Sequence, residues 1–127
     1  MFIKDIFSSK TPVISFEVFP PKREFPLDTV YSTIEDLKDM NPDFISVTYG
    51  AGGSSKDRTV EIASTIKNKY NIQSLAHLTC LTSSKAEIDL MLEQLKANNI
   101  YNVLALRGDI PIGGLQTYPQ YKYAKDL

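Results

Sequence analysis

Val13-Ile14-Ser15-Phe16-Glu17-Val18-Phe19-Pro20-Pro21 is the stretch on which the reading of the fold turns. β-branched and aromatic residues dominate it, so it reads as a short strand over about 13–19. Alternation puts Val13, Ser15, Glu17 and Phe19 on one face and Ile14, Phe16 and Val18 on the other. The second face is wholly apolar and is expected to carry helices. Pro20 and Pro21 stop the strand because neither can donate to a ladder. Glu17 therefore lies near the strand's C-terminal end, flanked by apolar side chains. A carboxylate in low-dielectric surroundings prefers its protonated form, which makes Glu17 a candidate general acid. The plainer alternative is that Glu17 pairs with a buried cation or reaches solvent at the sheet's end.

Working outward, the pattern repeats. Phe2, Ile3, Ile6 and Phe7 stand at helical spacing within residues 1–9. The segment Pro20 to Leu27 is expected to be a mobile loop. Asp28 is expected to cap a helix running to about Met40, with Val30, Ile34 and Leu37 inward, and Asn41-Pro42 ends it. A second strand, 44–49, enters Gly50-Ala51-Gly52-Gly53, and Ser54 or Ser55 should cap a helix over 56–70 with Val60, Ile62, Ala63 and Ile66 inward. A third strand covers 74–79. Ser84 with Glu87 forms a capping box for the next helix, whose stripe is Ile88, Met91, Leu92 and Leu95, closed by Asn98-Asn99. A fourth strand, 102–106, ends at Arg107-Gly108-Asp109, and Gln120 to Leu127 reads as the start of another helix.

Strands centred near Ile14, Ile45, Leu75 and Leu104 recur about every 30 residues, each followed by a helix. Such alternation implies a parallel sheet with right-handed crossovers, an α/β fold. Two architectures share the pattern: an open doubly wound sheet, or part of a (β/α)8 barrel. A whole barrel needs about 250 residues, so a chain of 127 is expected to supply the first half, about four strands. Half a barrel leaves two strand edges unpaired, which reads as truncation of a larger unit.

Composition narrows the function. Hydrophobic residues make up 43% and charged residues 23%, an ordinary globular mix. Fourteen basic and fifteen acidic residues leave a net charge of −1, which argues against a nucleic-acid or anionic-membrane surface. One cysteine and one histidine rule out an internal disulfide and disfavour a zinc site. The N-terminus has no long apolar run and no stretch approaches a membrane span, so a cytoplasmic setting is expected.

Ligands of parallel α/β folds bind at the C-terminal strand ends. Gathered there are Glu17, Thr48-Tyr49, His77 with Thr79, and Arg107-Gly108-Asp109. Each has a plainer role: His77 as a hydrogen-bonded core residue, Tyr49 as core, Asp109 as a turn cap, Arg107 as its ion partner. The glycine run 50–53 lacks the lysine of a P-loop and the spacing of a dinucleotide fingerprint. Convergence on one end of one sheet favours a site.

Four segments carry a resemblance: Ser-Phe-Glu-Val-Phe-Pro-Pro-Lys (15–22), Ser-Val-Thr-Tyr-Gly-Ala-Gly-Gly-Ser (46–54) with Arg58-Thr59, Ala-His-Leu-Thr-Cys (76–80), and Leu-Ala-Leu-Arg-Gly-Asp-Ile-Pro (104–111). In this order and spacing they resemble the methylenetetrahydrofolate reductase family over nearly the whole chain. The resemblance implies a flavin-binding (β/α)8 barrel, with residues 1–127 as a single partial domain, its N-terminal half. It implies reduction of 5,10-methylenetetrahydrofolate to 5-methyltetrahydrofolate, with FAD as cofactor and NADH or NADPH as electron donor. By it, Glu17 protonates the folate N10 and Asp109 tunes the flavin and favours the cationic iminium. Thr48, Tyr49 and Ala51 line the flavin or nicotinamide side, and His77, Thr79, Arg107 and Gly108 contact flavin. It further implies a homo-oligomer or a partner redox subunit in the full-length protein. The family's catalytic domain is more than twice as long, so activity is expected to require the second half. The alternative is a non-catalytic half barrel that self-associates or pairs with another subunit.

Overall fold

The computed structural model describes residues 1–49 and 56–127. Its frame is one four-stranded parallel sheet: β1 (Ser15–Val18), β2 (Phe44–Val47), β3 (Gln73–Thr79) and β4 (Asn102–Leu106), in spatial order β1-β2-β3-β4. The crossings between them run through α2 (Asp28–Lys38), α3 (Lys56–Ser64) and α4 (Lys85–Ala97). A short leading helix, α1 (Ile3–Ser9), precedes β1. The expected Ser54 or Ser55 cap lies outside the described residues.

Strand register settles the architecture. Phe16 pairs with Ile45, Val18 with Val47, and Val47 with Ala76, so these residues share one face. Val18, Ile45, Val47, Ala76 and Leu78 form a single core with Ile34 of α2, Val60, Ile62 and Ala63 of α3, and Ile88, Met91 and Leu95 of α4. All three crossing helices therefore cover the same face. A doubly wound sheet reverses its strand order and carries helices on both faces. Sequential order with helices on one side is the geometry of the first half of a (β/α)8 barrel.

The other face is closed at its N-terminal end by α1. Ile3 and Ile6 pack on Phe44 with Val13 and Leu75 alongside, and the Ile3 amide donates to Asn102 Oδ1 at 2.9 Å. The bottom of the sheet is thus sealed, and among the described residues its C-terminal end is the open one.

The local details refine the sequence reading. The capping box forms as expected: Ser84 Oγ accepts from Glu87 N at 3.2 Å and Glu87 Oε2 from Ser84 N at 2.7 Å. Asp28 is the first residue of α2, not its cap; the N-cap is Leu27, without a side-chain bond. The helix over 56–70 changes pitch, α-helical to Ser64 and π-helical over Thr65–Lys69. Its last turn is held by Tyr70 N donating to Thr65 O at 3.3 Å. Leu92 is 40% exposed, because at 3.6 residues per turn it falls at the edge of the stripe that Ile88, Met91 and Leu95 centre. Ile14 is also exposed: the helix-covered face begins at Phe16. Gln120 to Leu127 makes only one 3-10 turn, Ala124–Asp126. There Asp126 Oδ2 turns back onto the amides of Lys122 and Tyr123 at 3.0 and 2.8 Å.

The entry to the sheet is pinned by Asp43. Its amide donates to Ile14 O, its Oδ2 accepts from Ile14 N, and its Oδ1 meets Lys10 Nζ at 2.7 Å. The Lys10 ammonium first, then the Ile14 amide, hold the Asp43 carboxyl below its ordinary value. A lowered folded-state value means stabilisation present above the ordinary carboxylate range and lost as pH falls through the folded value. Urea unfolding should find Asp43→Asn less stable than the unmutated chain at neutral pH, with the gap closing on acidification. A gap that does not change with pH would refute the ionic role. Ile34→Ala, which empties a fully buried site between α2 and the sheet, should cost about 2–5 kcal/mol in the same measurement.

Candidate active site

Three side chains meet on the open face at the exits of β1, β2 and β3. Glu17 is paired with Ser46 in the ladder, so both point away from the helices. Ser46 Oγ donates to Glu17 Oε2 at 3.2 Å and also lies 3.5 Å from Phe16 O. His77, two residues beyond the register partner of Ser46, brings Nε2 to 3.5 Å from the same Oε2. That separation suits an ion pair when the imidazole is protonated and is long for a hydrogen bond. Ser46 is 6% exposed and His77 is 9% exposed, so both are fixed by packing.

Glu17 does not sit in the low-dielectric surroundings expected from its apolar neighbours. Its side chain is 46% exposed. Val18 and Phe16, its sequence neighbours, point to the helix side and cannot cover it. The open face offers Ser46 and His77 beside it.

Arg107, Gly108 and Asp109 leave β4 at the same end of the sheet as Glu17, on the opposite edge strand. Strand spacing puts the two edges roughly 14 Å apart along the sheet, so Glu17 and Asp109 share an end of the sheet and do not touch. The ladder continues past the strands, with Cys80 N to Leu106 O at 3.1 Å and Leu81 N to Arg107 O at 3.0 Å. Gly108 has φ +85°, and a Cβ there would stand 3.0 Å from Thr79 Cβ. Both the left-handed backbone and the close approach require glycine. Arg107 and Asp109 are exposed, and Arg107 Nε donates to Gly108 O at 3.2 Å, so the expected Arg107–Asp109 pair does not form. Thr48 follows β2 on the open side, half-buried. Tyr49 packs against the helix-side core, the plainer of its two readings. Ala51 lies outside the described residues. Cys80 is fully buried, and burial pushes its thiol up, which suits packing over reactivity.

Two residues gain roles that the sequence alone does not assign. Ser46 needs the β1–β2 register, which no local pattern gives. Arg58 shows why the segment after β1 is not the free loop expected. Its Nη1 donates to the carbonyls of Pro21, Lys22 and Phe25 at 3.4, 3.1 and 2.6 Å, and Nη2 to Arg23 O at 2.9 Å. Next to it, Thr59 Oγ1 donates to Thr48 O at 3.0 Å.

Among the described residues no cluster of three or more His, Cys, Asp or Glu side chains could hold a metal, and no helix is long and apolar enough to cross a membrane. The C-terminal end of the sheet carries a carboxylate and an imidazole on the open face, and a guanidinium and a second carboxylate at the exit of β4. Gly108→Ala should destabilise the chain by about 1–3 kcal/mol, from forced positive φ and the Thr79 contact; an unchanged thermal midpoint would show that the β4 exit relaxes freely.

Comparison with known proteins places this chain in a family. A family model described as methylenetetrahydrofolate reductase matches residues 2–127. Methylenetetrahydrofolate reductase (NADH) 1 of Arabidopsis thaliana is 41% identical over 111 residues, covering 87% of this chain and 19% of that protein. The 5,10-methylenetetrahydrofolate reductase of Escherichia coli K12 is 37% identical over 114 residues, covering 90% of this chain and 38% of that protein. Methylenetetrahydrofolate reductase 2 of Schizosaccharomyces pombe is 41% identical over 99 residues, covering 77% and 15% respectively. The chain thus spans well under half the length of these relatives. With four parallel strands in one sheet, and a family match running from residue 2 to residue 127, the chain belongs to the methylenetetrahydrofolate reductase family.

Proposed function

We propose that residues 1–127 form the N-terminal half of a flavin-binding (β/α)8 barrel and carry the acid side of a site that reduces 5,10-methylenetetrahydrofolate to 5-methyltetrahydrofolate. The observation that carries this reading is the Glu17 carboxyl, held by Ser46 Oγ at 3.2 Å and facing His77 Nε2 at 3.5 Å at the open end of the sheet. The matched relatives bear the names of reductases of this substrate. The activity belongs to the whole protein, with this part contributing Glu17 and Asp109 as catalytic groups. A cytoplasmic setting goes with that activity.

Glu17 holds a proton on its carboxyl and delivers it to the amine nitrogen of the substrate's methylene bridge, N10 in the family reading. Loss of that proton leaves a carboxylate, which the Ser46 hydroxyl and the His77 imidazole then stabilise by hydrogen bonding and charge. Substrate lying over the open face removes the water that now reaches Glu17. Asp109, exposed on the opposite edge, presents a negative charge toward the cation that forms when the bridge opens.

The donor set fits a flavin. His77, Thr48, Thr79 and the Arg107 guanidinium line the exits of β2, β3 and β4, and Gly108 lets the backbone there approach closely. These residues, with Ala51 and Asp109, would hold FAD, whereas Tyr49 stays with the helix-side core. When bound, FAD supplies hydride transfer between NADH or NADPH and the folate.

In the whole protein, Glu17→Gln should leave nicotinamide-driven flavin reduction intact and lower folate reduction about a hundredfold or more. Folate reduction at the unmutated rate would remove Glu17 from the mechanism.

Exposed apolar side chains on both edge strands, Ile14 and Phe19 beside β1 and Val103 and Leu104 on β4, favour a second reading. In it the chain is a half barrel that pairs with itself or with another subunit through those edges. Gel filtration with absorbance in the flavin band separates the two. A yellow, stoichiometrically loaded assembly supports the reductase, and a colourless stable oligomer supports the binding module.

A further inference from the structure

The motif Arg58-Thr59 is not used by the acid or by the flavin contacts, yet its geometry acts on the strand that bears Glu17. One guanidinium gathers four carbonyls from the segment that follows β1: Pro21, Lys22, Arg23 and Phe25. A planar five-donor fork can span a set of carbonyls that a point-like ammonium cannot.

The path from that fork back to Glu17 is short and stiff. Pro21 and Pro20 have φ locked by their rings. Val18, next to Glu17, is buried, and its carbonyl accepts from Thr48 N at 3.1 Å. The following residue of α3, Thr59, holds the Thr48 carbonyl at 3.0 Å. Consecutive residues at the start of α3 therefore fasten the exits of β1 and β2, the two strands that bring Glu17 and Ser46 together.

We propose that Arg58 is a positioning residue: by collecting the carbonyls of Pro21, Lys22, Arg23 and Phe25 it fixes the exit of β1 and so the placement of the Glu17 carboxyl against Ser46 and His77. The positioning role rests on the acid function proposed for Glu17, whereas the holding of the loop does not.

The test uses Arg58→Lys in the whole protein, which keeps charge and approximate length but loses the fork. Arg58→Gln is carried through the same assays so that the result does not depend on one variant folding, with far-UV circular dichroism as the check. Limited trypsin digestion, read by mass spectrometry, follows cleavage after Lys22 and Arg23. Cleavage there should accelerate about tenfold or more as the loop opens. In parallel, kcat for folate reduction should fall by about tenfold or more, while KM for the nicotinamide and the rate of flavin reduction by it stay unchanged. Unaltered cleavage would overturn the clamp. Faster cleavage with unaltered folate kcat would overturn the positioning role. Absence of folate turnover in the unmutated protein would fail the acid reading and the positioning role with it, and the cleavage assay would still report separately on the loop.

Discussion

Parallel pairing of consecutive strands in chain order is the constraint on which the rest of this structure depends. Because β1, β2, β3 and β4 neighbour one another in sequence order, every connection must cross over the same side of the sheet. That forces three helices onto one face and leaves the other to Glu17, Ser46 and His77. The register then decides which polar residues meet. A slip of one residue between β1 and β2 would turn Ser46 toward the helices and place Ile45 beside Glu17. The core on the helix side, with Ile34, Ile45, Val47, Ile62 and Ile66 fully buried, is what makes such a slip costly.

Electrostatics and packing divide the work around Glu17. The ladder sets where its backbone lies, Ser46 and His77 set where its carboxyl points, and the first turn of α3 holds the exits of both strands involved. None of these contacts dries the carboxyl, which keeps it half-exposed. The carboxyl is thus aimed by the frame while remaining open to solvent.

The sequence speaks clearly wherever local chemistry suffices. Period-2 and period-3.6 patterns locate the four strands and the crossing helices, and the Ser84–Glu87 box stands as expected. The parallel arrangement follows from the alternation of strands and helices. The pattern alone leaves barrel and doubly wound sheet both open, because the face each helix covers is a property of register. Ser46 is silent for the same reason, since a serine in a strand carries no mark of the residue it will oppose. The surroundings of Glu17 are not legible from its neighbours, because flanking apolar residues in a strand point away from the side chain between them. The loop after β1 looks free in the sequence because an arginine more than thirty residues on is what holds it. Leu92 and Asp28 are boundary cases, where a one-residue shift of stripe or cap changes the outcome.

The leading helix has a consequence for the order of assembly. Its contacts are with Phe44, Leu75 and the side chain of Asn102, which sits 99 positions from Ile3. Closing so long a span is entropically slow, and the seat for α1 does not exist until three later strands have been laid side by side. As the polypeptide emerges from the ribosome, α1 is therefore made before β2, β3 and β4 but docks only after them. Until then Ile3 and Ile6 remain available to solvent, to a chaperone, or to a neighbouring nascent chain.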